Sequence, residues 1–392
     1  MRVVQINAYC SRGSTGKICE GISKQLTERH IENYVIYNHG YSNYEKSIKI
    51  SCGGLYTKIQ SLKSRLYGNN GFNSKLLTQR LLSVLDQINP DVVHLHNLHA
   101  QNCNLEMLVG YLKKKGIRTF WTFHDCWMFT GYCMYYEITN CSKWKSKCGD
   151  CPQSKMYSWF RDKSNAIWER KKELFQDWDV IIVAPSEWLA QQIRESFLMD
   201  KDIKVIKNGV DLKVFNPQIG TFRLKYGLND KKIVLGVADL WDDRKGFETM
   251  VTLPERLGPN YQVVLVGVDK KNIKSIPSTV IAIEHTESID ELIELYSTAD
   301  IFVNPTIDEV FGLVNIESLA CGTPVVMYNT GGSPECIDEK TGCVVPKYNQ
   351  KELANKIIEI CTNTVLSSSD CIKRAAQFDS AKTYKEYCDL YS

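Results

Sequence analysis

Residues 301–327 read IFVNPTIDEVFGLVNIESLACGTPVVM, and the pattern of that stretch decides the fold. Ile301–Asn304 is a short unbroken apolar run stopped by Pro305, the pattern of a strand buried on both faces. A loop carrying Glu309 follows, then a helical stretch that opens near Phe311 and closes at Gly322, then a second apolar run from Pro324 to Met327. Two strands joined by so short a helix must lie parallel.

The same rhythm extends in both directions. Towards the C-terminal half, Lys232–Gly236, Gln262–Val266 and Val280–Glu284 read as further strands with helices between them. Towards the N-terminus, Arg2–Asn7, Val35–Tyr37, Asp91–His96, Arg118–Phe123, Val180–Ala184 and Lys204–Lys207 alternate with helical stretches such as 17–30, 74–88 and 187–196. Two doubly wound parallel-sheet α/β domains in tandem are therefore expected. Patterning lapses around Gly209 and Pro217. This places the expected domains at residues 1–212 and 213–375, with a C-terminal helix at about 376–392 packing back on the first.

At 392 residues the chain is too long for one ordinary core and suits two. A hydrophobic share of 43% and a charged share of 24% exclude disordered and fibrous classes. No apolar run approaches a membrane span and no leader pattern precedes Ala8, so a cytoplasmic protein is expected. Charge is uneven: residues 1–200 hold 26 Lys and Arg against 18 Asp and Glu, the remainder 22 against 27. Such asymmetry can mark a nucleic-acid or anionic membrane face, with Lys113, Lys114, Lys115 and Arg118 as one basic run; a solvated helix end is the alternative. Fifteen cysteines in a chain of this length suggest mainly buried free thiols.

Open α/β sheets bind ligands beyond the carboxyl ends of their strands. Glu309 lies in such a loop, and the helix opening through Phe311, Gly312, Leu313 and Val314 presents unpaired N–H groups and a positive dipole end fit for a diphosphate. Glu317, eight residues on, can accept hydrogen bonds from ribose hydroxyls; two surface glutamates flanking a helix start would look the same. Arg244 and Lys245 follow the first strand of the same domain and can clamp a diphosphate.

Glu309 and Glu317 with seven residues between them, followed by Ala320-Cys321-Gly322-Thr323-Pro324-Val325-Val326, resemble the retaining glycosyltransferase family four, or group 1 glycosyltransferases, of GT-B fold. Ile206-Lys207-Asn208-Gly209-Val210-Asp211, Lys245-Gly246, Glu291-Leu292 to Tyr296, Ala299-Asp300 and Gly331-Gly332-Ser333-Pro334-Glu335 extend the resemblance along most of the chain. It implies two Rossmann-like domains facing a central cleft, a nucleotide diphosphate sugar donor, and a glycan or lipid-linked glycan acceptor of the kind used in bacterial surface polysaccharide synthesis. It further implies that Glu309 contacts the donor sugar, Glu317 the ribose, and Asn208 the donor. The family carries an arginine directly after the first strand of this domain; here Ala238 and Asp239 stand there, and Arg244 is assigned its role. No Asp-x-Asp motif occupies the expected active-site loops, and in the family cations and helix amides replace a metal. Chemistry without a metal cofactor is the resulting expectation.

In the first half, Gly13-Ser14-Thr15-Gly16 joins a strand to a helix; Ser11 and Ile18 exclude a Walker A loop. The resemblance makes Gly16 a contact to the donor phosphate, and a plain tight turn is the alternative. His124 and Asp125 end a strand, and the family has a histidine here that lines the sugar site. His96, after another strand, can approach the acceptor or serve packing. Cys133, Cys141, Cys148 and Cys151 supply four thiolates for a structural zinc in a loop that also holds Trp127, Phe129, Tyr132, Tyr135, Tyr136 and Trp144; free thiols are the alternative, and the aromatics either stack on a sugar or fill the loop's own core. Two rival functions remain in view. A glycoside or nucleotide-sugar hydrolase would also use paired carboxylates, and a zinc-dependent nucleic-acid-binding protein would use the cysteine loop and the basic half, although no separate basic aromatic domain is present. The expected partners are therefore a nucleotide sugar, a glycan acceptor and the inner face of an anionic membrane, without nucleic acid.

Overall fold

A computed structural model describes residues 1–99, 101–274, 276–363 and 366–392. The chain divides into two compact units, 1–207 with 384–392, and 208–383. The first contains a seven-stranded sheet in the order β3-β2-β1-β4-β5-β6-β7. Its strands are β1 (Arg2–Ile6), β2 (Glu32–Tyr37), β3 (Ser47–Lys49), β4 (Val92–Leu95), β5 (Arg118–Thr122), β6 (Val180–Ala184) and β7 (Ile203–Val205). The second has the order β10-β9-β8-β11-β12-β13, from β8 (Lys232–Val237), β9 (Tyr261–Val266), β10 (Val280–Ile283), β11 (Ile301–Asn304), β12 (Val325–Tyr328) and β13 (Gly342–Val345). Every strand pair in both sheets is parallel.

Continuous apolar runs form these strands because both faces are covered. In the second unit Ile233, Leu235, Phe302, Val325 and Met327 enter one core, while Val234, Ile301, Val303, Val326 and Tyr328 enter the other. Each such side chain withdrawn from water contributes about 1.5–3 kcal/mol before ordering costs. The edge strands β3 and β13 lack this pattern of burial.

The division falls at Lys207/Asn208, five residues before the expected 212/213. Backbone pairing explains the shift. Val210 donates to Phe378 O and accepts from the Ser380 amide, which ties residues 208–212 to the second unit. The closing helix, Ser380–Leu390, is shorter than the expected 376–392; its Tyr387, and Tyr391 just after it, are buried in the first unit's core.

The strand order reverses between β1 and β4 in one sheet and between β8 and β11 in the other. Such switch points open a crevice at the carboxyl ends of the two central strands. The glycine loop follows β1 and His96 follows β4; Arg244 and Lys245 follow β8 and Glu309 follows β11. Topology alone thus brings most of the candidate residues to the two places where such sheets hold ligands.

Candidate active site

In the second unit the loops after β8 and β11 are bound together. The Ile307 amide donates to Arg244 O at 2.9 Å, and Arg244 Nη1 donates to Asp308 O at 3.0 Å. Lys245 Nζ then meets Glu309 Oε2 at 2.6 Å. Burial alone would raise the Glu309 carboxyl. Lys245, Arg244 and a hydrogen bond from the Val310 amide outweigh that and hold it below the ordinary carboxylate range. Glu309 is therefore an ionised, oriented acceptor at neutral pH.

The Glu309 loop is fixed from behind by Gly331 and Gly332. Gly332 N donates to Glu309 O at 3.2 Å, while a Cβ on Gly331, whose φ is +50°, would sit 1.6 Å from that same oxygen. Only glycine fits there.

The helix beside this loop runs Leu313–Ala320, two residues later than the sequence pattern suggests. Gly312, at φ +89°, turns the chain into it and leaves the Phe311 side chain in the core, so Phe311 can offer a ligand only its backbone. No side chain caps this helix. Close by Gly312, Ser333 Oγ and Asn315 Nδ2 are buried without an oxygen or nitrogen partner among the described residues. Uncapped amides together with unsatisfied buried donors are what an oxyanion would satisfy. Glu317 accepts from Tyr296 Oη at 3.0 Å. Asn208 is buried, and its Oδ1 lacks a partner among the described residues.

In the first unit the histidines form a hydrogen-bonded chain. Gln5 Nε2 donates to Cys19 O at 2.9 Å, so Gln5 Oε1 is the atom facing His96 Nε2 at 3.2 Å. His96 Nδ1 in turn faces His124 Nε2 at 3.1 Å, with the rings stacked at 16°. Burial pushes His124 down to about 4 and His96 well below its usual value, so both are neutral near pH 7. The tautomers then follow. His96 carries its proton on Nε2 for Gln5, so its Nδ1 accepts from His124 Nε2–H. What remains on His124 is an Nδ1 lone pair, able to accept a hydroxyl proton. Both nitrogens of His96 are engaged inside the protein, by Gln5 and His124. Asp125 accepts from Trp127 N at 2.8 Å and pairs with His99 at 3.1 Å. Burial raises its carboxyl, but His99 outweighs that and holds it low. A small cavity is lined by His96, His99, Trp121, His124, Asp125 and Trp127 among others.

Gly16 lies within the helix Gly13–Glu28, and a Cβ there would meet Tyr9 O and Ser11 N, each at 3.3 Å. The close approach that requires a small residue is to its own loop, while Gly13 has open space around it. In the cysteine loop Trp127, Phe129, Tyr132, Tyr136 and Trp144 are buried and fill the loop's core. Lys171, fully buried, donates to Thr130 O at 3.0 Å and to Trp127 O, and burial lowers it to about 7. Cys133, Cys141, Cys148 and Cys151 line one small cavity. Among the described residues, however, no group of three or more His, Cys, Asp or Glu side chains is arranged to hold a metal ion. Sequence reading missed Ser333, Asn315, Tyr296 and Gln5 as site residues; Tyr296 and Ser333 lie inside motifs that carried the family resemblance.

The sequence profile described as Glycosyltransferase Family 4 matches residues 16–214, and that of Glycosyl transferases group 1 matches residues 219–378. The chain belongs to glycosyltransferase family 4. A relative spanning the whole chain is the putative colanic acid biosynthesis glycosyl transferase WcaC of Escherichia coli K12, 21% identical over 100% of this chain and 99% of the relative. D-inositol 3-phosphate glycosyltransferase of Mycobacteroides abscessus is 30% identical over 48% of this chain and 46% of its own length. Among solved structures, sucrose-phosphate synthase of Thermosynechococcus elongatus superposes with a TM-score of 0.73 at 20% identity, covering 100% of this chain and 98% of that one. Anabaena Alr3699/HepE in complex with UDP-glucose gives 0.71 at 15% identity, covering 100% and 99%. Family 4 membership and these neighbours make the protein a glycosyltransferase of GT-B fold. Among the described residues no helix is long and apolar enough to cross a membrane.

Proposed function

We propose that this glycosyltransferase moves a hexose, with retention, from a nucleoside diphosphate sugar to a glycan or lipid-linked glycan in surface polysaccharide synthesis. The carrying observation is the pair of loops that sets Glu309, Lys245 and Arg244 beside an uncapped helix N-terminus, near which Ser333 Oγ and Asn315 Nδ2 lack an oxygen or nitrogen partner among the described residues. Cations and amides there suit a diphosphate, Glu309 suits the hydroxyls of the sugar, and Glu317 those of the ribose. The HepE complex with UDP-glucose and the name of the colanic acid relative support the donor and pathway classes.

In the proposed reaction the bond from the anomeric carbon to the diphosphate breaks as the acceptor oxygen bonds to the same face, and the acceptor proton passes to the departing phosphate oxygen. Lys245 and Arg244 offset the charge left on the diphosphate, and His124 Nδ1 holds a sugar hydroxyl. Asp125 and Gly16 keep their assigned acceptor-side and phosphate-side roles within this proposal. No metal takes part in the step. A structural zinc on Cys133, Cys141, Cys148 and Cys151 is a separate proposal that requires the thiols to converge from their present positions. Elemental analysis decides it: about one equivalent supports it, and zinc-free protein with four titratable thiols ends it.

Calorimetry against a panel of UDP- and GDP-sugars, followed by NMR of the product's anomeric configuration, tests the main reading. Micromolar affinity for one nucleotide diphosphate and a retained configuration are expected. Acceptor-independent hydrolysis as the sole activity would overturn it.

A further inference from the structure

The helix Gly54–Tyr67 reverses the usual pattern of burial. Leu55, Ile59, Leu62 and Leu66 recur at helical spacing and form one stripe. Leu55, Ile59 and Leu62 are 74%, 42% and 48% exposed, whereas the buried residues are Gln60 and Ser64. A polar contact holds the inner face, where the Ser74 amide donates to Gln60 Oε1 at 3.4 Å.

A second apolar element is attached to the end of this helix. The Trp159 amide donates to Arg65 O at 2.8 Å, and the Arg65 guanidinium donates to Met156 O. Met156, Trp159 and Phe160 are all exposed, Phe160 to 74%. Cations border both elements: Lys58, Lys63 and Arg65 on the helix, Lys155 and Arg161 on the loop. Residues 51–68 contain no Asp or Glu, and Asp162 faces the amides of Cys151 and Ser164. Among the described residues Lys58, Lys63, Lys155 and Arg161 form no ion pair. The basic run at 113–118 differs: Lys115 pairs with Asp86 at 2.9 Å, Lys113 reaches Gln176 O, and Arg118 donates to Tyr391 O at 2.7 Å.

We propose that the helix 54–67 and the loop 155–161 together seat the protein on an anionic lipid surface. An outward apolar stripe flanked by cations matches a helix lying in the plane of a bilayer interface. Leu55, Ile59, Leu62 and Phe160 enter the acyl boundary, Trp159 lies at headgroup depth, and the lysines and arginines meet the lipid phosphates. The uniform sign of the bordering charge selects an anionic surface over a second copy of this chain, whose own cations would be brought face to face.

The test uses the full chain and no sugar nucleotide, so its failure leaves the proposed reaction standing. Sedimentation is compared with vesicles of phosphatidylcholine alone and of phosphatidylcholine mixed with phosphatidylglycerol, at low and high salt. Binding to the anionic vesicles that weakens with salt is expected. Leu55→Ser with Ile59→Ser, and separately Lys58→Glu with Lys63→Glu, should each lower partitioning roughly tenfold or more while circular dichroism and UDP binding are unchanged. Wild-type protein that ignores anionic vesicles, or folded variants that bind as wild type does, overturns the proposal. So does self-association in ultracentrifugation that the serine variant abolishes while lipid binding is absent.

Discussion

Both units gather their candidate residues at the carboxyl ends of central strands, but with different chemistry. Beyond β8 and β11 the groups are charged, Glu309 held ionised against Lys245 at 2.6 Å. Beyond β4 and β5 the paired imidazoles are neutral, His96 and His124 kept unprotonated by burial and linked nitrogen to nitrogen at 3.1 Å, with the low-pKa Asp125 beside them on His99. A diphosphate needs cations and amides, because only they offset its charge. A sugar hydroxyl needs an oriented lone pair, which a protonated imidazole lacks. Under the proposed function, the charged site suits an anionic part of the reactants and the imidazole pair an uncharged one.

The sharpest way to break that comparison is Glu309→Gln. The amide keeps the size and loses the charge, so turnover should fall by roughly a hundredfold or more. Affinity for UDP should stay the same or rise, since Lys245 is released from its partner. Single-turnover kinetics and calorimetry on one preparation check both halves. A parallel loss of UDP affinity would mean that Glu309 organises the phosphate site instead.

Next in size are the cations. Lys245→Ala and Arg244→Ala should each weaken binding of the nucleoside diphosphate by about 1.5–3 kcal/mol through lost charge-assisted bonds. Arg244 holds the Glu309 loop through Asp308 O, whereas Lys245 pairs with the Glu309 carboxylate itself, so both variants should lower kcat and Lys245→Ala should lower it more. Equal kinetic profiles for the two would erase that distinction. A smaller effect is expected at His124. His124→Phe, which removes the Nδ1 lone pair but keeps a ring, should lower kcat roughly tenfold or more with UDP affinity unchanged. A fall in UDP affinity would assign His124 to the nucleotide.

How far the sequence foretold these sites depends on how local their causes are. Glu309, Glu317 and the helix after β11 were legible because one continuous stretch carries strand, loop and helix start. Arg244 and Lys245 were legible as adjacent cations after a strand. The helix 54–67 was passed over, since its apolar stripe faces outward and no core requirement announces it. The Gln5–His96–His124 chain was invisible for another reason: its members lie on three strand ends, and their hydrogen bonds and tautomers arise only when β1, β4 and β5 are side by side. At Gly16 the resemblance implies a phosphate contact, while the close approach of Tyr9 and Ser11 gives its small size a second cause that spacing does not reveal. Ser333 gained meaning only from its position near Gly312 and its missing partner.

The gentlest test uses pH. Burial lowers His94 to about 3 and His124 to about 4, and His96 in the same direction, whereas an unfolded histidine titrates near 6.5. Between about 4 and 6.5 unfolding therefore takes up protons, and stability must fall as the pH falls through that window. Each histidine taking up a full proton contributes at most about 1.4 kcal/mol per pH unit. Above about 7 both states are neutral at these positions and the contribution is flat. The charged site behaves differently. Glu309 sits below its unfolded value, so its contribution is present above roughly pH 4.3 and is lost only at more acid pH. Denaturant unfolding of the whole chain at half-unit pH intervals should thus show destabilisation from about pH 6.5 downward. The slope should be shallower in His94→Gln, because the amide can keep the contact with Thr122 Oγ1 at 2.7 Å without titrating. An unchanged slope in that variant would show that His94 protonates freely in the folded protein; stability that stays level down to about pH 4 would show the same of His96 and His124 and remove their neutral pair.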